Sequence, residues 1–222
     1  MINPFELTEK VSKIISRNGL KKYYRFRKTR FYGGCATADC LGCNLRCVYC
    51  WAQKKVWYPE KFGKYYSPKN VSENLINMNL PLVRVSGGEP TICKYHLIKL
   101  IENIPDNKLF ILETNGILLN EDYINLLSNF RYIYVRVSLK GVNENTFEKI
   151  TNVSGKYFKN QVNALTLLEK YGIKHRAAIL IDIFTNEQIK SLNIPDLEYE
   201  SLIRYPFVMI SLKKRGISVI RK

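Results

Sequence analysis

The chain has 222 residues, of which 46% are hydrophobic and 24% are charged. This composition excludes a disordered tail and a polytopic membrane protein, and the length allows one domain with a sizeable core. Lys and Arg number 35 against 19 Asp and Glu, a net charge of +16 that favours either an anionic partner or a solvated, lysine-rich surface. Because the N-terminus lacks an apolar signal region, we expect a cytoplasmic protein that is not bound to a membrane.

The first third of the chain has a helical start and then becomes basic and aromatic. Apolar spacing over residues 5–17 predicts an amphipathic helix, and residues 31–41 look extended. Residues 52–66 are predicted to form a basic, aromatic loop. Ser67 and Pro68 have the pattern of a helix N-cap and first turn, which predicts a helix over 68–78. We therefore divide the chain into an N-terminal helix with a basic segment (1–30) and a core domain (31–222).

Strand-like and helix-like runs alternate through the rest of the chain. The strand-like runs are 81–86, 108–113, 132–138, 175–181 and 206–212. The helix-like runs are 94–104, 120–129, 144–171 with a break near Ser154-Gly155, and 184–193. Such alternation is typical of βαβ units in a parallel sheet. With the extended segment near residue 33 there are about six units, which predicts an α/β partial barrel, two units short of a closed eightfold barrel.

Polar and glycine-rich segments follow four of these strands. They are the cysteine cluster after the first strand, Ser86–Pro90 after the second, Glu113–Gly116 after the third and Ser138–Gly141 after the fourth. The carboxyl ends of parallel strands share one edge, where ligands bind. Each segment alone is consistent with an ordinary turn or surface residue. Together they predict one site.

Residues 20–30 interleave six basic residues with three aromatic residues. Three interpretations stay open for this segment. It could bind nucleic acid through phosphates and stacked bases, dock an acidic electron donor of the flavodoxin or ferredoxin type, or be a solvated edge beside the barrel.

Five of the six cysteines lie within sixteen residues. Cys43, Cys47 and Cys50 have the spacing C-x3-C-x2-C, and soft thiolates at such spacing suit an iron–sulfur cluster or zinc. Three ligands would leave one iron of a four-iron cluster open to an external ligand. An alternative register adds Cys40 and would close a structural zinc site, as in a non-enzymatic nucleic-acid-binding module. Cys35 and Cys40 are expected to be buried in packing.

The cysteine spacing, together with Gly87-Gly88-Glu89-Pro90 after the second strand, resembles the radical SAM superfamily. The resemblance covers roughly residues 31–182. It implies a partial (β/α)6 barrel and a [4Fe–4S] cluster held by Cys43, Cys47 and Cys50. It also implies S-adenosylmethionine (SAM) bound to the fourth iron.

The same resemblance implies the residues that contact SAM. The backbone at Tyr49 would meet the adenine, and Gly87, Gly88 and Glu89 would hold the methionine amine. Thr114 and Asn115 would line the ribose side, while Ser138 and Lys140 would meet ribose hydroxyls and the carboxylate. The catalytic residue toward substrate is unassigned.

Thr114-Asn115-Gly116 and Ser138-Leu139-Lys140-Gly141 further resemble the organic-radical-activating group, which includes glycyl-radical-enzyme activases and 7-carboxy-7-deazaguanine synthases. Activases usually have Asp where this chain has Ser138. The resemblance implies reductive cleavage of SAM to a 5′-deoxyadenosyl radical, which takes hydrogen from a small molecule, a nucleobase or tRNA, or a glycyl site of a partner protein.

Overall fold

A nine-stranded sheet forms the centre of the computed structural model, which describes residues 1–221. In chain order the strands are β1 (Ser16–Arg17), β2 (Leu20–Thr29), β3 (Cys35–Cys40), β4 (Lys64–Tyr66), β5 (Leu82–Gly87), β6 (Leu109–Thr114), β7 (Ile133–Leu139), β8 (His175–Leu180) and β9 (Glu198–Glu200). Strands β3, β5, β6, β7, β8 and β9 lie side by side and run parallel, while β2 pairs antiparallel with β3. The predicted α/β partial barrel of six parallel strands is confirmed.

Helices surround this sheet, and some of them pack on its outer face. They are α1 (Pro4–Ile15), α2 (Gln53–Trp57), α3 (Pro68–Ile76), α4 (Lys94–Glu102), α5 (Glu121–Leu127), α6 (Glu144–Thr151), α7 (Phe158–Lys170), α8 (Asn186–Lys190) and α9 (Pro206–Lys214). The predicted break in the long helical run is confirmed, because α6 ends where Asn152 adopts a left-handed conformation. Ser67 caps α3 as predicted, accepting a hydrogen bond from the backbone of Asn70.

The two faces of the parallel sheet differ in chemistry. Apolar side chains of the central strands, such as Val85, Leu112 and Val135, pack in the main core. Alternate residues point the other way, into the barrel lumen, because side chains alternate along a strand. Arg84, Glu113 and Arg136 lie on that second face, so the lumen is polar.

The prediction of a strand over 206–212 is wrong. Pro206 occupies the first turn of α9, and the helix buries Val208 and Leu212 one turn apart while Phe207 and Ile210 stay exposed. The apolar run therefore has a helical period. The sixth parallel strand is β9, whose two glutamates face charged partners in the lumen and give no apolar signal.

The prediction that 52–66 forms only a loop is also wrong, since this segment contains α2 and β4. In addition, none of the helices among the described residues combines the length and apolar character needed to span a bilayer.

Residues 20–29 form β2, and the basic side chains of residues 20–30 are divided between buried and exposed positions, with Arg25, Lys28 and Arg30 exposed. Lys21 and Lys22 are buried and donate to backbone carbonyls. Arg25 and Arg27 both donate to Asp39, at 2.7 and 2.8 Å. These four cations have partners within the fold, whereas Lys28 and Arg30 are exposed, and the three interpretations of the segment stay predictions.

Candidate active site

The three cysteines of the C-x3-C-x2-C pattern lie in the loop that follows β3. Backbone hydrogen bonds hold this loop against α6, from Arg46 to Thr151 at 3.0 Å and from Val48 to Ile150 at 2.9 Å. Burial raises the pKa of Cys43, Cys47 and Cys50 to about 12 each. A metal that binds thiolates would therefore have to displace three protons here, which an iron–sulfur cluster does through strong Fe–S bonds.

Cys40 does not belong to this group. It is the last residue of β3 and packs in the main core with Tyr23, whereas Cys47 packs in a second core cluster, against which Cys43 and Cys50 lie. This separation of Cys40 from the other three thiols favours the three-cysteine register over the four-cysteine zinc site.

A buried amide beside Cys43 fits a cluster at this position. Asn44 is fully buried, and its Nδ2 has no hydrogen-bond partner among the described residues. An unpaired buried donor is costly, and the sulfurs of an iron–sulfur cluster are acceptors for such groups. The residues present therefore fit the cluster that the cysteine spacing implies.

The Gly87-Gly88 pair lies directly against the cysteine loop. The backbone N–H of Gly88 donates to the Cys40 carbonyl at 2.8 Å, and that of Glu89 donates to the Gly42 carbonyl at 2.7 Å. A Cβ on Gly88 would lie 2.1 Å from the Gly42 oxygen. Glycine is needed here because two loops approach each other closely; the predicted contact with the methionine amine stays a prediction.

The Glu89 carboxylate ties the ends of β5 and β6 together. Its Oε1 accepts from the Thr91 backbone and hydroxyl, at 3.1 and 2.6 Å, and from the Thr114 hydroxyl at 2.6 Å. Its Oε2 accepts from the Asn115 backbone at 2.8 Å. The side chain is buried, so its negative charge is held by protein donors rather than by water. Whether Glu89 also holds an amine stays a prediction.

Asn115 links three parts of the site. Its Nδ2 lies 2.8 Å from Asn44 Oδ1 and 3.6 Å from the sulfur of Cys43, as a donor to both. Its backbone carbonyl accepts from Gln161 on α7, and Gln161 also donates to the Ser138 carbonyl. Gln161 carries no motif in the sequence and was not predicted; a buried glutamine on a helix face becomes visible only in the fold.

Lys140, Ser138 and Tyr49 come together on the far side of the site. Lys140 Nζ donates to Ser138 Oγ at 2.5 Å and lies 5.6 Å from the centre of the Tyr49 ring. Burial opposes the charge on Lys140, but Tyr49, Glu200 and the nearby thiols outweigh it and raise the pKa of the lysine. Lys140 thus stays a charged ammonium in the site, and its contact with the SAM carboxylate stays a prediction.

Below these residues, paired charges line the lumen. Glu113 accepts from Arg84 at 3.1 Å, from Ser86 at 2.6 Å and from Tyr32 at 2.8 Å. Arg136 forms ion pairs with Glu198 and Glu200 of β9. Sequence reasoning missed this network because each charged residue lies inside a strand, where only the topology shows which face it occupies.

Lys21 supports the diglycine loop from behind. Its ammonium is buried and donates to the carbonyls of Glu89 and Pro90, at 3.2 and 2.8 Å. Among residues 1–221 it pairs with no carboxylate, and its hydrogen bonds go to backbone carbonyls. This residue fixes the position of the loop that carries Gly87 and Gly88.

We expect Lys21→Met to weaken SAM binding to the reconstituted protein by about tenfold, since the loop loses two charge-assisted hydrogen bonds. The measurement is the SAM Kd by calorimetry. Lys28→Met is the matched control, because Lys28 is exposed on the same strand. Equal SAM affinity in the two variants would show that the hydrogen bonds of Lys21 to this loop do not affect SAM binding.

Comparison with known proteins identifies the class. The radical SAM superfamily model matches residues 40–193. The chain therefore belongs to the radical SAM superfamily, whose members use a [4Fe–4S] cluster and SAM. The predicted family and cofactors are thereby confirmed at the level of the family.

Two curated relatives illustrate the range of this family. Fe-coproporphyrin III synthase of Methanosarcina barkeri is 28% identical over 181 residues, which cover 81% of this chain and 44% of the relative. GTP 3′,8-cyclase of Clostridium perfringens is 29% identical over 170 residues, which cover 75% of this chain and 51% of the relative. The chain spans about half the length of these relatives.

Solved structures show the same fold at low identity. Streptococcus suis SuiB bound to the precursor peptide SuiA superposes with a TM-score of 0.62 at 16% identity, covering 81% of this chain and 46% of SuiB. The structure of anSMEcpe with bound AdoMet and the Cp18Cys peptide gives a TM-score of 0.53 at 18% identity, covering 72% of this chain and 48% of that one.

Proposed function

We propose that this chain is a radical SAM enzyme that reductively cleaves SAM and abstracts a hydrogen atom from a polar substrate in the barrel lumen. The observation that carries the proposal is the meeting of four sequence segments at one end of the sheet. The cysteine loop, the Gly87–Glu89 loop, Thr114-Asn115 and Ser138–Lys140 are joined there by hydrogen bonds. Family membership favours this function over a non-enzymatic zinc or iron–sulfur module.

Different residues of the site would bind the cluster and SAM. Cys43, Cys47 and Cys50 would bind the cluster, and Lys140 would pair with the carboxylate of SAM. When bound, the cluster and SAM supply one-electron cleavage of the sulfonium S–C5′ bond and hydrogen abstraction by the resulting 5′-deoxyadenosyl radical. Glu89 and Gln161 orient the loops around the site, and the buried setting keeps water away from the reaction.

The lumen supports a polar substrate without a high negative charge. Arg84 and Arg136 are each bonded to glutamates, so neither is left over as a partner for a multiply charged anion. Tyr32 and Ser86 add hydroxyl groups on the same face. A neutral or zwitterionic group, such as a peptide or an amino acid side chain, matches this lining better than a nucleoside triphosphate does.

The direct test is anaerobic reconstitution with iron and sulfide, followed by SAM and dithionite. Release of 5′-deoxyadenosine would support the proposal, and its increase on adding a peptide or small-molecule panel would identify the substrate class. A colourless protein that holds one zinc ion and releases none would contradict it.

A further inference from the structure

An exposed basic surface lies immediately beyond the cysteine loop, on residues 53–64. We call it the α2 surface and define it by Lys54, Lys61 and Lys64, all exposed, with the half-buried Lys55 beside them. Lys54 is four residues from Cys50, so its Cα lies within about 15 Å of the Cys50 Cα. Lys54 is therefore close to the site proposed for the cluster.

The lysines of the α2 surface differ from Lys21, Lys22, Arg25 and Arg27 of β2 in having no side-chain hydrogen-bonding partner among residues 1–221. Within the part of the chain that the structure describes, none of its four lysines forms an ion pair or a side-chain hydrogen bond to a polar group. Glu60 is the one acidic residue of the segment. Lys55 and Lys61 lie over the rings of Phe62 and Tyr58, at 4.8 and 5.1 Å, and these contacts leave the positive charge in place. Cations that no carboxylate neutralises contribute to the potential outside the protein, which attracts an acidic partner.

This surface is firmly connected to the cysteine loop. The backbone of Gln53 donates to the Cys50 carbonyl at 3.2 Å, and Gly42 donates to Lys55 at 3.4 Å. Lys22 reaches from β2 to the carbonyls of Pro59 and Glu60, at 2.9 and 3.1 Å. A partner seated on the α2 surface would thus be held in a fixed orientation to Cys50.

We propose that the α2 surface is the docking site of an acidic one-electron carrier of the flavodoxin or ferredoxin type. This inference rests on the proposed function, which requires one low-potential electron. In the step, the reduced carrier loses one electron and the cluster gains it, with no atom transferred. Since electron transfer slows steeply with distance, docking beside Cys50 places the carrier where transfer is fast.

The test compares two charge-reversal variants of the reconstituted protein. Lys54→Glu with Lys61→Glu alters the α2 surface. Arg131→Glu with Lys174→Glu makes the same charge change at two exposed residues that precede β7 and β8, at the opposite end of the sheet from the cysteine loop. Both pairs lie outside the residues assigned to the cofactors.

A purified bacterial flavodoxin of net negative charge serves as the probe. We expect the α2 variant to weaken its Kd by about tenfold or more at low salt and to slow cluster reduction by flavodoxin hydroquinone, while dithionite reduces all variants alike. The control variant should keep nearly the original Kd. Equal losses in both variants, or none in the α2 variant, would overturn the proposal.

Two further outcomes distinguish a failure of the docking proposal from a failure of the proposed enzymatic function. If tRNA binds the original protein and loses binding only in the α2 variant, while flavodoxin binding is unaffected, the surface is a nucleic-acid site and the proposal is wrong. If dithionite-treated protein releases no 5′-deoxyadenosine, the proposed function fails, but the flavodoxin Kd still decides the docking site.

Discussion

Cys47→Ala is expected to abolish assembly of the iron–sulfur cluster. Cys47 lies between the other two cysteines in a loop held to α6, and among the described residues no fourth cysteine lies in that loop to replace it. Two remaining thiolates bind a four-iron cluster too weakly to retain it, since each ligand contributes directly to cluster affinity. Iron and sulfide analysis after anaerobic reconstitution and desalting measures the loss.

Cys40→Ala is the matched control. This thiol is buried against Tyr23 on the helix side of the sheet, and burial raises its pKa to about 11. Its removal should cost modest stability through a small cavity and leave the iron content near that of the original protein. If Cys40→Ala lost the metal as Cys47→Ala is expected to, the four-cysteine register would be favoured and the three-cysteine site would be wrong.

Glu89→Gln is expected to disrupt the site without removing any cysteine. The carboxylate accepts four hydrogen bonds, and an amide has one acceptor oxygen, so its NH2 group must face at least one N–H or O–H donor. We expect a loss of about 2–3 kcal/mol in the free energy of unfolding and weaker SAM binding, because Thr114 and Asn115 lose their anchor. Urea unfolding and SAM calorimetry measure both.

The control for this prediction is Glu73→Gln. Glu73 is exposed on α3, so the same chemical change there should alter stability by less than about 0.5 kcal/mol. An unchanged urea midpoint in Glu89→Gln would mean that the carboxylate does not hold the ends of β5 and β6 together.

The central strands were predictable because their sequences are apolar and alternate with helical runs. The runs at 81–86 and 132–138 match β5 and β7 closely. By contrast, β9 was not predicted from the sequence. Its Glu198 and Glu200 form ion pairs with Arg136 in the lumen. A long-range ion pair of this kind leaves no local pattern.

The part of the site that was predictable is the part made of sequence motifs: the closely spaced cysteines and the polar or glycine-rich segments that follow the strands. The sequence indicated that Cys43, Gly88, Asn115 and Lys140 would share one end of the sheet, and the structure brings them together. The sequence did not indicate Lys21 or Gln161, which support the site from behind. Their role depends on burial beside unpaired carbonyls, and burial follows from the whole fold.

The proposed function requires that three thiolates hold a four-iron cluster with one iron left open for SAM. Electron paramagnetic resonance of the dithionite-reduced protein, recorded with and without SAM, measures this property. We expect the signal of a reduced [4Fe–4S] cluster that changes when SAM is added and is absent in Cys47→Ala. A cluster signal indifferent to SAM, or a diamagnetic protein containing zinc, would contradict the proposed function.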